Sequence, residues 1–493
     1  MFKFGKIALF STPIGIGGYY LYNNSIDCIN KEYTYDEISK HNNESDVWVT
    51  YKNNVYDITK FIDNHPGGKS KVMLAAGSAI DPYWNIYKQH TNNPSIVKDI
   101  LDPLKIGIIK DYDNKKYSDF KDVYINDPIR DSELKFHSLK PCNAETPIKH
   151  IMDNWITPNN YWYIRNHCPV PDVDINNYNL SITSSIDKFD KMFSFTELKS
   201  MPTKKVITTI QCGGNRRNGH NDIEKTSGTG WNIGAISTAE WEGVSLKDFL
   251  LNNKIDSAKI KENNIKHIHF ESIDGVKASI PISKVFDTEY GGDVILAYKM
   301  NGEDLPRDHG YPLRVIVPGY VGIRNVKWLK KITLSEKEID SIWQTGLSYK
   351  GVPHYIKDVK EIELDKIPPI YEMPVQSCIA DFSLDNDKKK LKVKGFAWAG
   401  GGRNIIRVDV SVNNGARWKM AKLKEGSNQE LNRAWAWTFW ETEFDVFPDD
   451  YFDIVCKATD QSYNVQPETC KHIWNIRGLN NNSWHHMILW NKI

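Results

Sequence analysis

The chain of 493 residues is 40% hydrophobic and 25% charged, and its formal net charge at pH 7 is +1. This composition is typical of globular proteins, and the length predicts about two to four domains. A nearly neutral chain gives no reason to expect binding to nucleic acid or to a charged membrane surface. The 7 cysteines include no CxxC pair, so neither a zinc site nor a disulfide scaffold is indicated.

The N-terminal segment combines two lysines with an apolar run. The run extends from Ile7 to Tyr22 and is interrupted by Pro13, and no acidic residue precedes Asp27. It is shorter than the roughly 20 residues that a membrane-spanning helix needs. We predict that residues 1–28 form a targeting presequence or an anchor-like segment, and the pattern does not distinguish the two.

Two histidines, His65 and His90, are the first candidate functional residues. His65 belongs to a His-Pro-Gly-Gly run, where glycine permits a tight turn beside a ligand. Apolar residues between Phe61 and Ile86 could enclose a flat apolar ring. Two imidazoles on opposite faces of a haem would complete the coordination of its iron. A structural role for the histidines is the alternative that the pair alone leaves open.

Residues 29–110 resemble the cytochrome b5 family along their whole length. The resemblance rests on WVT at 48–50, VYDI at 55–58, FID at 61–63 and the two histidines. It implies a small α+β domain that binds haem b, with His65 and His90 as the axial ligands of the iron. Such a haem transfers single electrons.

A linker and a larger domain follow. Residues 111–123 are highly charged and poor in aliphatic side chains, which predicts a flexible linker. Residues 124–368 mix strand-like runs with many Pro and Gly turns, which predicts one large α+β domain. The helices expected there lie at Ser245 to Leu251 and at Glu145 to Trp155.

From residue 369 to 493 the pattern changes to short strands. Val408, Val410 and Val412 alternate with polar residues, and Asn414 with Gly415 predicts a hairpin turn. Further strand-like runs occupy 435–440 and 452–458. We predict an immunoglobulin-like β-sandwich.

Cys212 is the candidate centre of the large domain. It follows the strand-like run 206–210 and precedes two glycines and the pair Arg216 and Arg217. Positive neighbours favour a thiolate, which is both a nucleophile and a soft metal ligand. A small buried residue at a turn is the alternative. Clusters of Arg, His and Lys at 163–167, 306–314 and 324–328 indicate an anion-binding pocket.

The chain from about Asn126 to its C-terminus resembles the sulfite oxidase family of molybdenum enzymes. The order of the modules resembles that of animal-type members. The resemblance rests on segments in the same order: RNHCPVP, QCGGNRR, GAISTAEW, NGEDLPRDHGYPLRVIVPG, NVKWL, PVQSCI, GGGRNIIRVDVS, RAWAW, YNVQP and WNIRG. It implies a large α+β molybdopterin domain and a C-terminal immunoglobulin-like dimerisation domain.

This resemblance assigns roles to particular residues. Cys212 would be the protein sulfur on molybdenum. The cofactor would be held by Arg165, Asn166, His167, Cys212, Asp274, His309, Arg314, Asn325, Val326 and Lys327. The catalytic pocket for an oxyanion substrate would consist of Cys212, Tyr349, Arg165, Arg217, Arg477 and Trp231.

The resemblance also implies an activity and its setting. Sulfite would be oxidised to sulfate, the last step of sulfur amino-acid catabolism, with Tyr349 steering the substrate. Electrons would pass one at a time from molybdenum through the haem to cytochrome c. The family implies a homodimer that forms through the C-terminal domain and resides in the mitochondrial intermembrane space.

Three residues depart from the family pattern. Glu240 stands where the family has Arg, Cys168 where it has Leu, and Asn325 where it has His. The first departure puts local electrostatics in question. The other two affect packing or a single hydrogen bond.

Two other functions are compatible with parts of this pattern. Assimilatory nitrate reductases share these modules but place the haem module after the sandwich and add a flavin-dependent reductase, and no Rossmann glycine fingerprint follows Met487 here. A non-enzymatic electron carrier would be favoured by loss of Cys212 or the arginines, and these residues are present.

Overall fold

The structure is a computed structural model that describes residues 31–65, 69–86, 90, 96–112, 123–287, 289, 292–385, 387, 389–447 and 451–490. The predicted N-terminal segment 1–28, the glycines after His65 and most of the predicted linker lie outside the described residues. The chain forms two compact units, Met1–Asp122 and Val123–Ile493. In the described part, no helix has the length and apolar character needed to cross a membrane.

The first unit is built on a small mixed sheet. Strands β1 to β6 are Glu32–Tyr33, Asn42–Asn43, Asp46–Tyr51, Asn54–Asp57, Ser78–Ala79 and Lys105–Ile109, and helices α1 to α3 are Tyr35–Ser39, Lys69–Val72 and Asp81–Ile86. The strand order is β1-β6-β4-β3-β2, with β5 paired to β3. Val47, Val49 and Val55 are fully buried, because alternate residues of a strand face the same side.

The first part of the second unit contains three sheets. Strands β7 to β9 are Lys135–Leu139, Cys142–Glu145 and Ile164–Arg165. Strands β10 to β19 are Asn179–Thr183, Asp190–Ser194, Thr203–Gln211, Ile236–Ser245, His267–Ser272, Lys277–Pro281, Ile295–Met300, Glu303–Asp304, Arg314–Ile316 and Leu329–Ser335. Helices α4 to α9 are Ile148–Ile151, Phe195–Lys199, Arg217–Asn221, Leu246–Asn252, Ser257–Glu262 and Ser283–Phe286. The two larger sheets have the orders β11-β10-β19-β14-β15 and β12-β13-β16-β17, with β18 paired to β16.

The pairing of β12 with β13 places the candidate site. The antiparallel register runs from Thr203 opposite Val244 to Gln211 opposite Ile236. The connection 212–235 therefore leaves and re-enters the sheet at one end. It carries Cys212, Arg217 and Trp231 to that end together.

One of the two helix predictions needs correction. Helix α7 begins after Ser245, whose side chain accepts a hydrogen bond from the Asp248 amide, as expected of an N-cap. The predicted helix from Glu145 to Trp155 is wrong, since Glu145 ends strand β8 and helix α4 covers only Ile148–Ile151. Pro147 disfavours the helical conformation in the residue before it, which separates the two elements.

The C-terminal part is a β-sandwich, as predicted. Strands β20 to β27 are Gln376–Asp385, Lys390–Trp398, Ile405–Ser411, Lys419–Met420, Lys422–Leu423, Thr438–Asp445, Tyr451–Asp460 and His485–Trp490. They form sheets of order β20-β21-β25-β24 and β23-β22-β26-β27 around a shared apolar core. Asn414 and Gly415 have φ of 51° and 82°, the left-handed values of the predicted hairpin turn.

Candidate active site

Cys212 lies immediately after β12 in a turn held by main-chain hydrogen bonds. Its amide donates to the Ala235 carbonyl oxygen at 3.0 Å, and its own carbonyl oxygen accepts from the Asn215 amide at 2.9 Å. The Asn215 side chain accepts in turn from the Ala235 amide at 3.0 Å. These bonds fix the direction of the thiol, which is 6% exposed.

The thiol borders a cavity with an empty volume of about 660 Å³. This volume includes space that is open to solvent. Residues singled out in the sequence that line it are Arg165, His167, Cys212, Asp274, His309, Arg314, Asn325, Val326, Lys327 and Tyr349. Asn166, Arg217, Trp231 and Arg477 are not part of this lining.

Arg314 supplies buried positive charge to the wall. Two of its guanidinium nitrogens donate to the carbonyl oxygens of His309 and Asn325, at 2.8 and 2.9 Å. Its guanidinium carbon lies 4.7 Å from the centroid of the Trp241 ring. Burial lowers the pKa of Arg314 to about 10, so the side chain stays protonated at neutral pH.

Lys327 is fixed by a network that reaches the start of the second unit. Its ammonium group donates to the Asn166 side chain and, at 2.7 Å, to the carbonyl oxygen of Asp308. The Asp308 carboxylate accepts from Asn166 at 2.8 Å and from two nitrogens of Arg130 at 2.8 and 2.9 Å. Burial lowers the pKa of Lys327 to about 7, and an anion beside it would favour the charged form.

Asn325, His309 and Asp274 also line the cavity, and they differ in hydrogen bonding and in charge. The Asn325 side chain accepts from the Val317 amide at 2.7 Å and donates to the carbonyl oxygens of Tyr320 and Val321, so it holds a loop. Burial lowers the pKa of His309 to about 3, which keeps its ring neutral. Burial also raises the pKa of Asp274.

Arg217 lies in a narrow cradle formed by glycines. A Cβ added to Gly214 would overlap its guanidinium group, and one added to Gly228 would lie 2.9 Å from its guanidinium carbon. One of its terminal nitrogens donates to the Thr229 carbonyl oxygen at 2.6 Å. Burial lowers the pKa of Arg217 to about 10, so it too stays cationic at neutral pH.

Arg477 reaches this region from the segment between β26 and β27. Its carbonyl oxygen accepts a hydrogen bond from Arg217, and its guanidinium group donates to the Ser227 hydroxyl at 2.8 Å. Asn480 anchors the same segment, because its amide donates to the Gly213 carbonyl oxygen at 2.8 Å. Arg477 and Tyr349 are close enough to influence each other electrostatically.

The two candidate haem ligands lie together in the first unit. The rings of His65 and His90 are 6.0 Å apart between centroids and inclined by only 12°. The Trp84 ring is nearly parallel to the His90 ring, with centroids 5.2 Å apart. Two nearly parallel imidazoles at this separation can ligate one metal from opposite sides.

Comparison with known proteins agrees with this arrangement. Residues 34–110 match the cytochrome b5-like haem/steroid binding domain, residues 167–343 the oxidoreductase molybdopterin binding domain, and residues 367–492 the Mo-co oxidoreductase dimerisation domain. The mitochondrial sulfite oxidase of Homo sapiens is 40% identical over 465 residues, which cover 92% of this chain and 83% of that protein. The chain belongs to the sulfite oxidase family.

Two further relatives extend this result. The sulfite oxidase of Gallus gallus is 40% identical over 463 residues, covering 92% of this chain and 98% of that protein. The crystal structure of the sulfane dehydrogenase SoxCD from Paracoccus pantotrophus has a TM-score of 0.60 over 77% of this chain and 95% of that chain, at 24% identity, and shares the fold. The predicted family, fold class, enzyme class and cofactors, molybdenum with molybdopterin and haem b, are confirmed.

Buried polar atoms test whether the residues present fit an anionic cofactor and an oxyanion. In the described part of the second unit, Nε of Arg314, Nε1 of Trp231 and Nε of Arg477 are buried donors without a protein acceptor. A buried donor without a partner is costly, so each is poised to donate to a bound group. Of these three residues Arg314 lines the cavity, where its Nε and the ammonium group of Lys327 fit an anionic cofactor such as molybdopterin. The paired histidines of the first unit fit a haem.

Some residues that support the site were not predicted. Asp308 pairs with Arg130 and accepts a hydrogen bond from Lys327 at its main-chain oxygen. Arg130 and Asp308 are 178 positions apart, so no local pattern indicates their contact. Asp308 stands inside the cationic segment 306–314, where it was not given a role. The sequence pattern places Glu145 in a predicted helix and indicates no role for Gly228.

Two of the three departures from the family pattern, Glu240 and Cys168, lie outside the cavity lining. Glu240 is on β13 and pairs with Lys205 at 2.7 Å, outside the cavity lining. Cys168 is buried next to His167. Asn325 lines the cavity, and its side chain bonds to the main chain of residues 317–321.

Proposed function

We propose that this chain oxidises sulfite to sulfate at the Cys212 cavity and passes the electrons singly through the haem to cytochrome c. The supporting observation is the convergence of three guanidinium groups on one thiol and one phenol. Arg217 lies within electrostatic range of Cys212, Arg165, Tyr349 and Arg477. A dianionic substrate needs such a site, because arginine keeps its charge when it is desolvated.

Each catalytic residue has a defined task in this proposal. Cys212 would hold molybdenum through its sulfur, and this centre would supply oxygen-atom transfer and two-electron redox chemistry. Arg165, Arg217 and Arg477 hold the substrate, and the buried indole N–H of Trp231, which has no protein acceptor, is a further donor assigned to it. Burial and then the Cys212 charge raise the pKa of Tyr349, so its hydroxyl remains a donor at neutral pH.

The molybdopterin would be held along the cavity wall. Its anionic groups would interact with Lys327, Arg314 and Arg165, since buried cations near neutral pH gain most from a nearby anion. The other residues assigned to it are Asn166, His167, Asp274, His309, Asn325 and Val326. Asn166 acts by orienting the Lys327 ammonium group.

The domain limits and cellular setting belong to the same proposal. The haem domain spans 29–110, the molybdopterin domain 124–368 and the dimerisation domain 369–493, with residues 111–123 as a linker. The dimerisation-domain match supports a homodimer. Mitochondrial relatives support a mitochondrial location, and we propose the intermembrane space and the final step of sulfur amino-acid catabolism. N-terminal sequencing of the mature protein would show whether residues 1–28 are removed.

Reduction of the haem by sulfite tests the activity. The purified protein, with molybdenum and haem contents measured, is mixed with sulfite under argon while its visible spectrum is recorded. We expect the bands of a reduced b-type haem, and we expect Cys212→Ser to abolish them while keeping the oxidised spectrum. Cys470→Ser, a thiol outside the cavity lining, is the control. A fully loaded protein whose haem stays oxidised with sulfite contradicts the proposal.

A further inference from the structure

The segment 227–234 anchors three residues of the substrate pocket at once. The Ser227 hydroxyl accepts from Arg477 at 2.8 Å, and the Thr229 carbonyl oxygen accepts from Arg217 at 2.6 Å. Trp231 is itself part of the segment and is fully buried. The positions of both arginines and the indole therefore depend on where this segment lies.

The buried carboxylate of Glu145 holds the C-terminal end of the segment, at Asn232 and Gly234. Glu145 is 0% exposed, and its two oxygens accept from the main-chain amides of Asn232 at 2.5 Å and Gly234 at 3.1 Å. A Cβ on Gly234 would lie 3.0 Å from the Glu145 carboxylate, so glycine permits this close approach. A carboxylate that accepts two amides is a strong and directional anchor.

His137 completes the anchor from the neighbouring strand. Its Nε2 lies 2.7 Å from the Glu145 carboxylate, which requires this nitrogen to carry the proton. Its ring packs edge-on against Trp231, with centroids 5.0 Å apart and planes at 70°. Glu145 and His137 sit on β8 and β7, which pair with each other and give the anchor a rigid base.

We propose that Glu145, with His137, is a positioning residue for sulfite binding and acts through the segment 227–234. It touches neither the substrate nor the cofactor. The inference rests on the proposed function, in which Arg217, Arg477 and Trp231 bind the oxyanion. The anchor is electrostatic, because both oxygens of Glu145 must be acceptors to hold the amides of Asn232 and Gly234.

The test replaces Glu145 by glutamine, which keeps the shape but turns one acceptor into a donor that faces an amide. We expect kcat/KM for sulfite to fall about 10- to 100-fold, mainly through a higher KM. The dissociation constant of sulfate, measured by calorimetry, should rise by a similar factor. The haem spectrum should stay unchanged.

A matched control separates positioning from loss of stability. Asp460 is also a fully buried carboxylate that accepts two main-chain amides, from Ser462 and Asn464, but it lies in the sandwich. Asp460→Asn should lower the unfolding temperature without changing KM or the sulfate dissociation constant. His137→Phe, which keeps a ring against Trp231, should raise KM in the same direction as Glu145→Gln.

Each outcome decides a separate point. A Glu145→Gln protein with wild-type KM and sulfate affinity overturns the positioning role, whatever its unfolding temperature. If Glu145→Gln does not fold, His137→Phe with wild-type KM and sulfate affinity has the same meaning. A wild-type protein that binds sulfate but does not oxidise sulfite overturns the proposed function, and sulfate calorimetry of the variants still tests Glu145.

Discussion

Arg217 donates a hydrogen bond of 3.1 Å from Nε to the main-chain carbonyl oxygen of Arg477, 260 positions along the chain. Because the acceptor belongs to the main chain, the Arg477 side chain can be changed without removing this bond. The two guanidinium groups can therefore be tested separately.

Replacing Arg477 by glutamine should weaken sulfite binding while Arg217 stays in place. Loss of a charged hydrogen-bond donor should raise KM about 10- to 100-fold. Steady-state kinetics measure this, with the exposed Arg417→Gln as the control. An unchanged KM would remove Arg477 from the substrate pocket.

Gly214→Ala should displace Arg217, since the new methyl group would overlap the guanidinium group. We expect kcat/KM for sulfite to fall at least about tenfold, with molybdenum and haem still bound. Gly351→Ala is the control, because nothing lies within 4 Å of a Cβ added there. Equal kinetics for the two variants would show that the cradle does not position Arg217.

His90→Ala should break the electron path and spare the oxidation of sulfite. The variant loses one axial ligand of the haem, so the b-type spectrum should be altered or absent and cytochrome c reduction should fail. Sulfite consumption with a small artificial oxidant should continue. His354→Ala, an exposed histidine of the second unit, is the control. Normal cytochrome c reduction by the His90 variant would refute the ligand assignment.

Acid should destabilise the second unit partly through His220. Burial, aided by the charges of Arg217 and Arg216, lowers the pKa of His220 from 6.5 to about 4. Between these values the unfolded chain binds a proton that the folded chain does not, so stability falls as pH decreases from 6.5 to 4. His220→Leu should remove on the order of 2 kcal/mol of the stability lost between pH 7 and pH 5. Thermal unfolding at both pH values measures this, and an unchanged pH dependence contradicts it.

Local patterns predicted the strands of the sandwich, the helix after Ser245 and the cation-rich wall of the cavity, but they misplaced the helix expected from Glu145 to Trp155. Valine alternation and the Asn414-Gly415 turn predicted the sandwich, because strand period and turn chemistry are local properties. The cation-rich segments at 306–314 and 324–328 predicted a pocket that the structure shows as a cavity wall.

Long-range partners could not be predicted in the same way. Arg477 was identified only through the family resemblance, because nothing near it in sequence indicates contact with Arg217. Glu145 was missed since a polar residue before an apolar run also fits the start of a helix. Its role depends on the amides of Asn232 and Gly234, which only the folded chain brings close.

The Arg217–Arg477 contact joins the connection 212–235 to the segment between β26 and β27, and the substrate would lie against both residues. An anion that binds only when both are in place stabilises the assembled state, and above its dissociation constant this stabilisation rises with the logarithm of its concentration. Sulfite and sulfate would thus act as reversible cross-links between the molybdopterin domain and the sandwich. Bound sulfite or sulfate would therefore slow proteolysis at the junction between residues 212–235 and the segment that carries Arg477.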